Sequence, residues 1–443
     1  MLPEILTDIP GPKSLSLANR LARVESQNVT FADSDWPIFW ESAAGTNVWD
    51  VDGNRFLDLT SAFAVSGLGH SNLAVVEALK NQADLLLHGM GDVHPAEVKV
   101  ALCEQLSAIT FERWGAGTGK VILCNAGFEA VEAALKTAHL RTGGKPRIIT
   151  FAGGYHGLGY GTLMAGGMAK FRAPFREQLG ELAIELPFPS CEEDMVALEA
   201  ALTLALNNND VSAILVEPIL GRGGKVVPPA GFLPLLRRAA DESGAVLVLD
   251  EIYTGFNRTG RLFACEHSAV VPDIICLGKA LASGFPLSAC VGKAEVMDAW
   301  PASDGEALHT TTSLGNPLGC RMALAAIEQH RDPSVANNVI ATSERFRSAL
   351  EAIDSPRRGK VRGTGLMLGL EIIDPTTGAP DGNLATSIIL NSLKDGIILL
   401  ADGPAGTCSP SPRHSPSATR KSHSSARGFA SIQSVKMTSY LLP

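Results

Sequence analysis

The feature that most constrains this chain is an alternation. Between residues of about 70 and 325, short β-rich runs (KVILC, RIITF, SAILVE, AVLVLD and DIICLG) are separated by helical stretches such as EVKVALCEQLSAI and EAVEAALKTAHL. A near-continuous apolar run suits a strand covered on both faces, and parallel strands need a helical crossover between them. The pattern therefore predicts an α/β fold with a mostly parallel central sheet covered by helices. Several of these runs stop at a polar or glycine-bearing loop, and open α/β sheets place their ligands beyond the carboxyl ends of their strands. The chemistry is expected there.

The flanks read differently. Residues 1 to about 40 read as an irregular arm, and ESAAGTNVWDVDGNRFLDLTS reads as short strands around turns, with Asp52-Gly53 as a hairpin signal. From about 325 to 406, a long helix, the run GKVRGTGLMLGLEII and a further helix suggest a smaller α+β unit that pairs with the N-terminal segment. The expected organisation is thus an arm and part of a small domain over 1–69, a large α/β domain over 70–324, the rest of the small domain over 325–406, and a distinct tail over 407–443. That tail holds ten serines, five Lys or Arg and no acid, whereas the preceding residues carry 32 bases against 46 acids. Such a shift in composition reads as a flexible basic tail.

Composition narrows the partners. A chain of 443 residues with 45% hydrophobic and 19% charged residues buries a sizeable core. Its net charge of −9 offers no electrostatic reason to expect nucleic acid or an anionic membrane. No stretch approaches the roughly 18 apolar residues of a membrane span. The opening MLPEILTDIPGPK lacks the basic patch and apolar run of an export signal, and the eight scattered cysteines show neither a CxxC pair nor zinc spacing. A cytoplasmic, reduced, metal-free protein acting on small molecules is the expectation.

The most informative segments are AVLVLDEIYTGFNRTGRLFA and PDIICLGKALASGFPLSA. One apolar strand ends in Asp250 and another in Gly278-Lys279, which sets a carboxylate and an amine at strand ends. A lysine there is costly to bury unless it is paired or chemically used. A solvated Lys in a loop beside a helix-capping Asp remains the bland alternative for those two residues alone.

The surrounding words decide between them. DEIYTGFNRTG and the Lys279 loop, NAGFEAVEAALKTA (125–138), FAGGYHG (151–157), EPILGRGG (217–224) and HTTTSLGNPLG (309–319) occur in an order that resembles the class III aminotransferases. These are pyridoxal 5'-phosphate (PLP) enzymes of fold type I that include acetylornithine, ornithine and 4-aminobutyrate aminotransferases. The resemblance covers about residues 15 to 406.

What the resemblance implies is specific. Lys279 would form the Schiff base with PLP and shuttle a proton, Asp250 would face the pyridine nitrogen, and Glu217 would lie near cofactor and substrate. Ala126, Gly127 and Phe128, opening a helix, would hold the phosphate, since free N–H groups and the positive helix end favour an anion. Tyr155, next to His156 in the same motif, would stack on one face of the ring and Ile252 on the other, with Tyr253 near the ring oxygen. Thr312 of a neighbouring subunit would reach the phosphate, which implies a homodimer with shared sites. The reaction implied is transfer of an amino group from an amino acid or ω-amine donor to a 2-oxo acid acceptor, in a ping-pong route through pyridoxamine phosphate. Racemisation, epimerisation or aminomutation on the same fold is the alternative.

Several positions depart from the family pattern. Phe128 stands where a hydroxyl residue is common, Tyr253 where glutamine is common, and Asn257 where glycine is frequent. After LLADGPAG the chain leaves the pattern altogether, and a frameshift near position 407 is the expectation; an inactive scaffold is the alternative it opens. Relatives often carry their carboxylate-binding arginine in that lost segment, which leaves Arg222, Arg258 and Arg362 as candidates. A nucleotide-binding reading fails on spacing: the residues five before Gly119 and Gly278 are Trp114 and Asp273, and neither Lys120 nor Lys279 precedes Ser or Thr.

Overall fold

The computed structural model describes residues 1–31 and 35–403. Among these residues the strands, in chain order, are β1 (Trp40–Ala44), β2 (Asn47–Asp50), β3 (Arg55–Asp58), β4 (Gly119–Cys124), β5 (Arg147–Phe151), β6 (Ala183–Leu186), β7 (Val211–Val216), β8 (Val246–Asp250), β9 (Ile274–Leu277), β10 (Ser288–Lys293), β11 (Arg358–Thr364), β12 (Met367–Ile372) and β13 (Ile397–Ile398). The centre is a seven-stranded sheet of order β4-β10-β9-β8-β7-β5-β6. β6, β5, β7, β8 and β9 pair in parallel, and only β10 runs against its neighbours β9 and β4. The mostly parallel α/β sheet expected from the alternation is what forms.

Burial explains why these runs are so apolar. Every residue of β7, β8 and β9 is buried. On one face, Ile214, Val216, Leu247, Leu249, Ile275 and Leu277 join Leu102, Leu106, Phe232 and Phe263. On the other, Ala213, Leu215, Val248 and Cys276 meet Ala130, Val131, Ala134 and Ala138 of the helix Gly127–Arg141. Small residues on that helix let it lie close to the sheet, and its N-terminus stands at the carboxyl end of β4 because only two residues join them. Phe232 is fully buried between Phe151, 5.3 Å away, and Phe188, 5.0 Å away, both edge-on.

A second sheet, of order β1-β2-β3-β13, draws its strands from both ends of the described chain, because β13 pairs in parallel with β3. The Asp52-Gly53 turn joins β2 to β3, closed by the Asp50 N–H donating to the Asn54 carbonyl at 3.0 Å. β11 and β12 form a separate antiparallel hairpin from GKVRGTGLMLGLEII. The expected irregular arm contains a helix, Pro12–Leu21. Its opening N–H groups, of Lys13 and Ser14, donate to the Asp52 carboxylate at 2.7 and 2.9 Å. The cap thus comes from far along the chain, where a local pattern does not show it. Among the described residues no helix is long and apolar enough to cross a membrane. The expected tail and the change of frame near 407 lie outside the described residues.

Truncating Phe232→Ala should cost about 3–5 kcal/mol of stability, through lost burial plus the cavity left between two rigid rings. Chemical denaturation followed by circular dichroism checks this, and a loss below about 1 kcal/mol would show that the site collapses around the gap.

Candidate active site

Parallel order brings the carboxyl ends of β9, β8, β7 and β5 side by side, and the chemistry-bearing residues follow those ends directly. Asp250 closes β8, Glu217 follows β7, Lys279 stands two residues beyond β9, and Tyr155 and His156 lie in the loop after β5. They line one cavity of about 1140 Å³ together with Asn125, Gly127, Phe128, Arg222, Ile252 and Tyr253. Trp36, Trp40, Phe63, Leu390 and Leu400 supply part of its apolar wall.

The buried acid–base pair is Asp250 with His156. His156 Nδ1 donates to Asp250 Oδ2 at 2.8 Å, and both side chains are almost wholly buried. The second carboxylate oxygen accepts the Ile252 N–H at 3.1 Å. Burial opposes a charge on the imidazole, but the hydrogen bond and charge of Asp250 outweigh it and raise the His156 pKa. Glu217 is tied down by backbone alone: Oε1 accepts from the Tyr155 N–H and Oε2 from the Gly221 N–H, each at 2.9 Å. Its burial pushes the carboxyl up to about 7, aided by the charge of Asp250 and opposed by that of His156.

Lys279 is the amine at the centre of this arrangement. It follows an extended Gly278 and has φ +45°, a left-handed conformation that a residue with a Cβ rarely adopts. Its amine lies 5.0 Å from the centroid of the Tyr253 ring and has no hydrogen bond or ion pair among the described residues. Burial lowers its pKa first, and the charges of Lys225 and Arg222 lower it further, against Asp250 and Glu217. An amine held this way gives up its proton more readily than a surface lysine.

The helix Gly127–Arg141 aims its N-terminus at the same cavity. The Glu129 carboxylate folds back onto the N–H of Asn125 at 2.8 Å and that of Ala126 at 3.4 Å, while Gly127 and Phe128 line the cavity. A Cβ at Gly127 would sit 2.9 Å from Ile252 Cδ1, so glycine lets the turn and Ile252 approach. Phe128 is accommodated in turn by Gly157, where a Cβ would fall 2.4 Å from that of Phe128. Ala126 does not line the cavity: its carbonyl accepts from Ser288 Oγ at 2.6 Å, which anchors the turn to β10.

Other expected residues fall elsewhere. Thr312 is exposed and off this cavity, whereas its neighbour Thr311 accepts from Asn125 Nδ2 at 3.0 Å. Of the three candidate arginines only Arg222 lines the cavity. Arg258 is held outside it with a buried, unpartnered Nη2, and Arg362 pairs with Glu371. Sequence reasoning missed Asn125, which sits just before the phosphate-loop glycine. It also missed Lys225, whose buried amine pairs with Asp402 at 2.5 Å and donates to the Tyr253 hydroxyl at 3.0 Å. That Lys–Asp contact spans 177 residues, so nothing local signals it.

The same chain is similar to proteins of known kind over nearly its whole length. It is 36% identical over 425 residues to the 4-aminobutyrate aminotransferase of Mycobacterium tuberculosis (strain ATCC 25618 / H37Rv), covering 91% of each chain. It is also 36% identical over 344 residues to the acetylornithine aminotransferase of Methanopyrus kandleri, covering 77% of this chain and 82% of that one. In fold it superposes on the ornithine aminotransferase of Toxoplasma gondii, solved with partial occupancy of PLP at its active site, with a TM-score of 0.77 and 27% identity over 89% of this chain and 88% of that one. The family described as aminotransferase class-III matches residues 30–435. A fold type I sheet with a half-buried lysine, unpaired among the described residues, in the same cavity as a carboxylate–imidazole pair is thus found in a chain that belongs to the class III aminotransferases.

Proposed function

We propose that this chain transfers an amino group from an amino acid or ω-amine to a 2-oxo acid, using PLP held in the cavity at the carboxyl ends of β5, β7, β8 and β9. The single observation that carries the assignment of roles is the amine of Lys279, half-buried and unpaired among the described residues, in the same cavity as Asp250, Glu217 and the N-terminus of the helix Gly127–Arg141. Burying a cation without a partner is costly, so a fold retains one where it is chemically used.

The residues present fit the cofactor. Lys279 Nζ offers the amine that the aldehyde requires, and its lowered pKa favours the free base. Asp250, held in place by His156 and the Ile252 N–H, offers a buried negative charge for a protonated ring nitrogen. Gly127 and Phe128 at the helix N-terminus suit a phosphate, and Tyr155 and Ile252 offer flat or branched apolar surface for the two ring faces. When bound, PLP supplies an electron sink that makes the proton on the amine-bearing carbon acidic. Lys279 Nζ then takes that proton and returns it, and the apolar walls exclude water from the exchange. Tyr253, standing where glutamine is common, is oriented by the Lys225 N–H donated to its hydroxyl and lies in reach as a hydrogen-bonding phenol.

We further infer a homodimer in which Thr312 serves the partner's site. Supporting this, the segment bearing Thr312 packs on the 85–94 loop, through Thr310 Oγ1 donating to Asp92 at 2.8 Å and Asn316 Nδ2 donating to the Leu87 carbonyl at 3.2 Å. The same region exposes Leu85, Leu87, Met90 and Leu308, an apolar surface of the kind that subunit contacts cover. The seven described cysteines are free thiols, as suits a reducing cytoplasm.

Lys279→Ala should lower turnover between an amino donor and a 2-oxo acid by roughly 10⁴-fold or more, and Asp250→Asn by roughly 10²- to 10⁴-fold with the fold retained. Steady-state assays on refolded variants of matched circular dichroism check both; near-normal turnover in Lys279→Ala contradicts the assignment.

Glu217 makes a prediction about pH. Its folded pKa, raised from the ordinary 4.5 to about 7, means that the folded chain holds this proton more tightly than the unfolded chain. The resulting stabilisation is complete below about pH 4.5 and is lost as pH rises through 7. Denaturation of the cofactor-free chain across this window should show a shallower fall in stability for Glu217→Gln than for the wild type. Parallel slopes would mean that the carboxyl titrates normally.

A further inference from the structure

A 2-oxo acid carries a carboxylate beside its carbonyl, so a cavity that accepts one must meet that negative charge. Among the described residues lining it, the basic side chains are His156, Arg222 and Lys279. His156 is committed to Asp250, and Lys279 has its own role in the reading above.

Arg222 is placed and left free. Its guanidinium lies 4.7 Å from the centroid of the Tyr155 ring and 5.4 Å from that of Phe171, and these two rings meet edge-on at 5.7 Å. Stacking on aromatic faces fixes a guanidinium through its π surface and leaves the N–H edge available. Among the described residues that edge has no hydrogen-bond or ion-pair partner, while the Arg222 backbone is pinned by its carbonyl accepting from the Gly403 N–H at 2.7 Å. Glu217, five residues back, makes no ion pair with it; its two oxygens accept the Tyr155 and Gly221 N–H groups instead. Lys225, three residues on, shows the contrast: its charge is already met by Asp402.

We propose that Arg222 is the residue that binds the carboxylate of the 2-oxo acid acceptor, through a two-point contact from its free N–H edge. It thereby sets specificity for acceptors with a carboxylate next to the carbonyl. This rests on the aminotransferase reading of the same cavity and adds a location for the acceptor's charge.

The test isolates the acceptor half-reaction. Full-length wild type, Arg222→Gln and Arg222→Lys, each reconstituted with pyridoxamine phosphate, are mixed in single turnovers with pyruvate or with propanal, which has the same length and no carboxylate. Arg222→Gln should lower the apparent second-order rate with pyruvate roughly 30- to 100-fold, the loss expected for one charged hydrogen-bonded pair. Propanal should be little affected, and Arg222→Lys should recover part of the pyruvate rate. Equal losses with both acceptors would overturn the proposal, as they would reduce Arg222 to a packing residue. Propanoate binding, followed by titration calorimetry, supplies a readout without turnover: saturable binding lost in Arg222→Gln supports the anchor, and equal affinity overturns it. A wild type inactive with all acceptors would contradict the aminotransferase reading, and the propanoate titration would still decide the role of Arg222.

Discussion

The site depends on the placement of one uncompensated amine. Lys279 is carried below the protein surface by the end of a fully buried strand, and its backbone takes a left-handed turn to put Nζ into the cavity. Around it the negative charge is already spoken for. Asp250 is bound by His156 and a backbone N–H, and Glu217 by two backbone N–H groups, so neither carboxylate closes on the amine as a salt bridge. Had either done so, the lysine would be a structural cation with a raised pKa; instead burial and neighbouring cations lower it. The geometry favours chemistry over a simple ion pair.

Around that centre the sheet acts as a positioning frame. Five parallel-paired strands present their carboxyl ends together, and four of those ends supply one kind of group each: amine after β9, carboxylate at β8, second carboxylate after β7, aromatic ring with imidazole after β5. Alanines on the helix Gly127–Arg141 let it pack close to the sheet, and its short link to β4 sets its positive end at the same edge. Two basic side chains close by have different fates. Lys225 ties the β7–β8 region to Asp402, near the last described residue, whereas Arg222 rests on Tyr155 and Phe171 with its donors unspent.

Much of this was legible in the sequence, for reasons that can be traced. β5, β7, β8 and β9 are buried on both faces, and so appear as unbroken apolar runs; Asp250, Glu217 and Lys279 mark where those runs end. β6 and β10 were not anticipated. β6 is short and only partly buried, and β10 (SACVGK) mixes small and polar residues because it sits between strands as the one antiparallel member. The helix Pro12–Leu21 was missed because Asp52 supplies its cap from a distance. Long-range contacts of this sort leave no periodic trace. Of the candidate arginines, local sequence could not separate Arg222 from Arg258 and Arg362; a ring contact in one case and an acidic partner in another did so.

The account is tested most directly by reducing the PLP-loaded protein with borohydride and mapping the pyridoxyl adduct by peptide mass spectrometry. It predicts a single stable modification, on the peptide containing Lys279. An adduct on another lysine, Lys225 above all, or none on correctly folded protein that has taken up the cofactor, would contradict it.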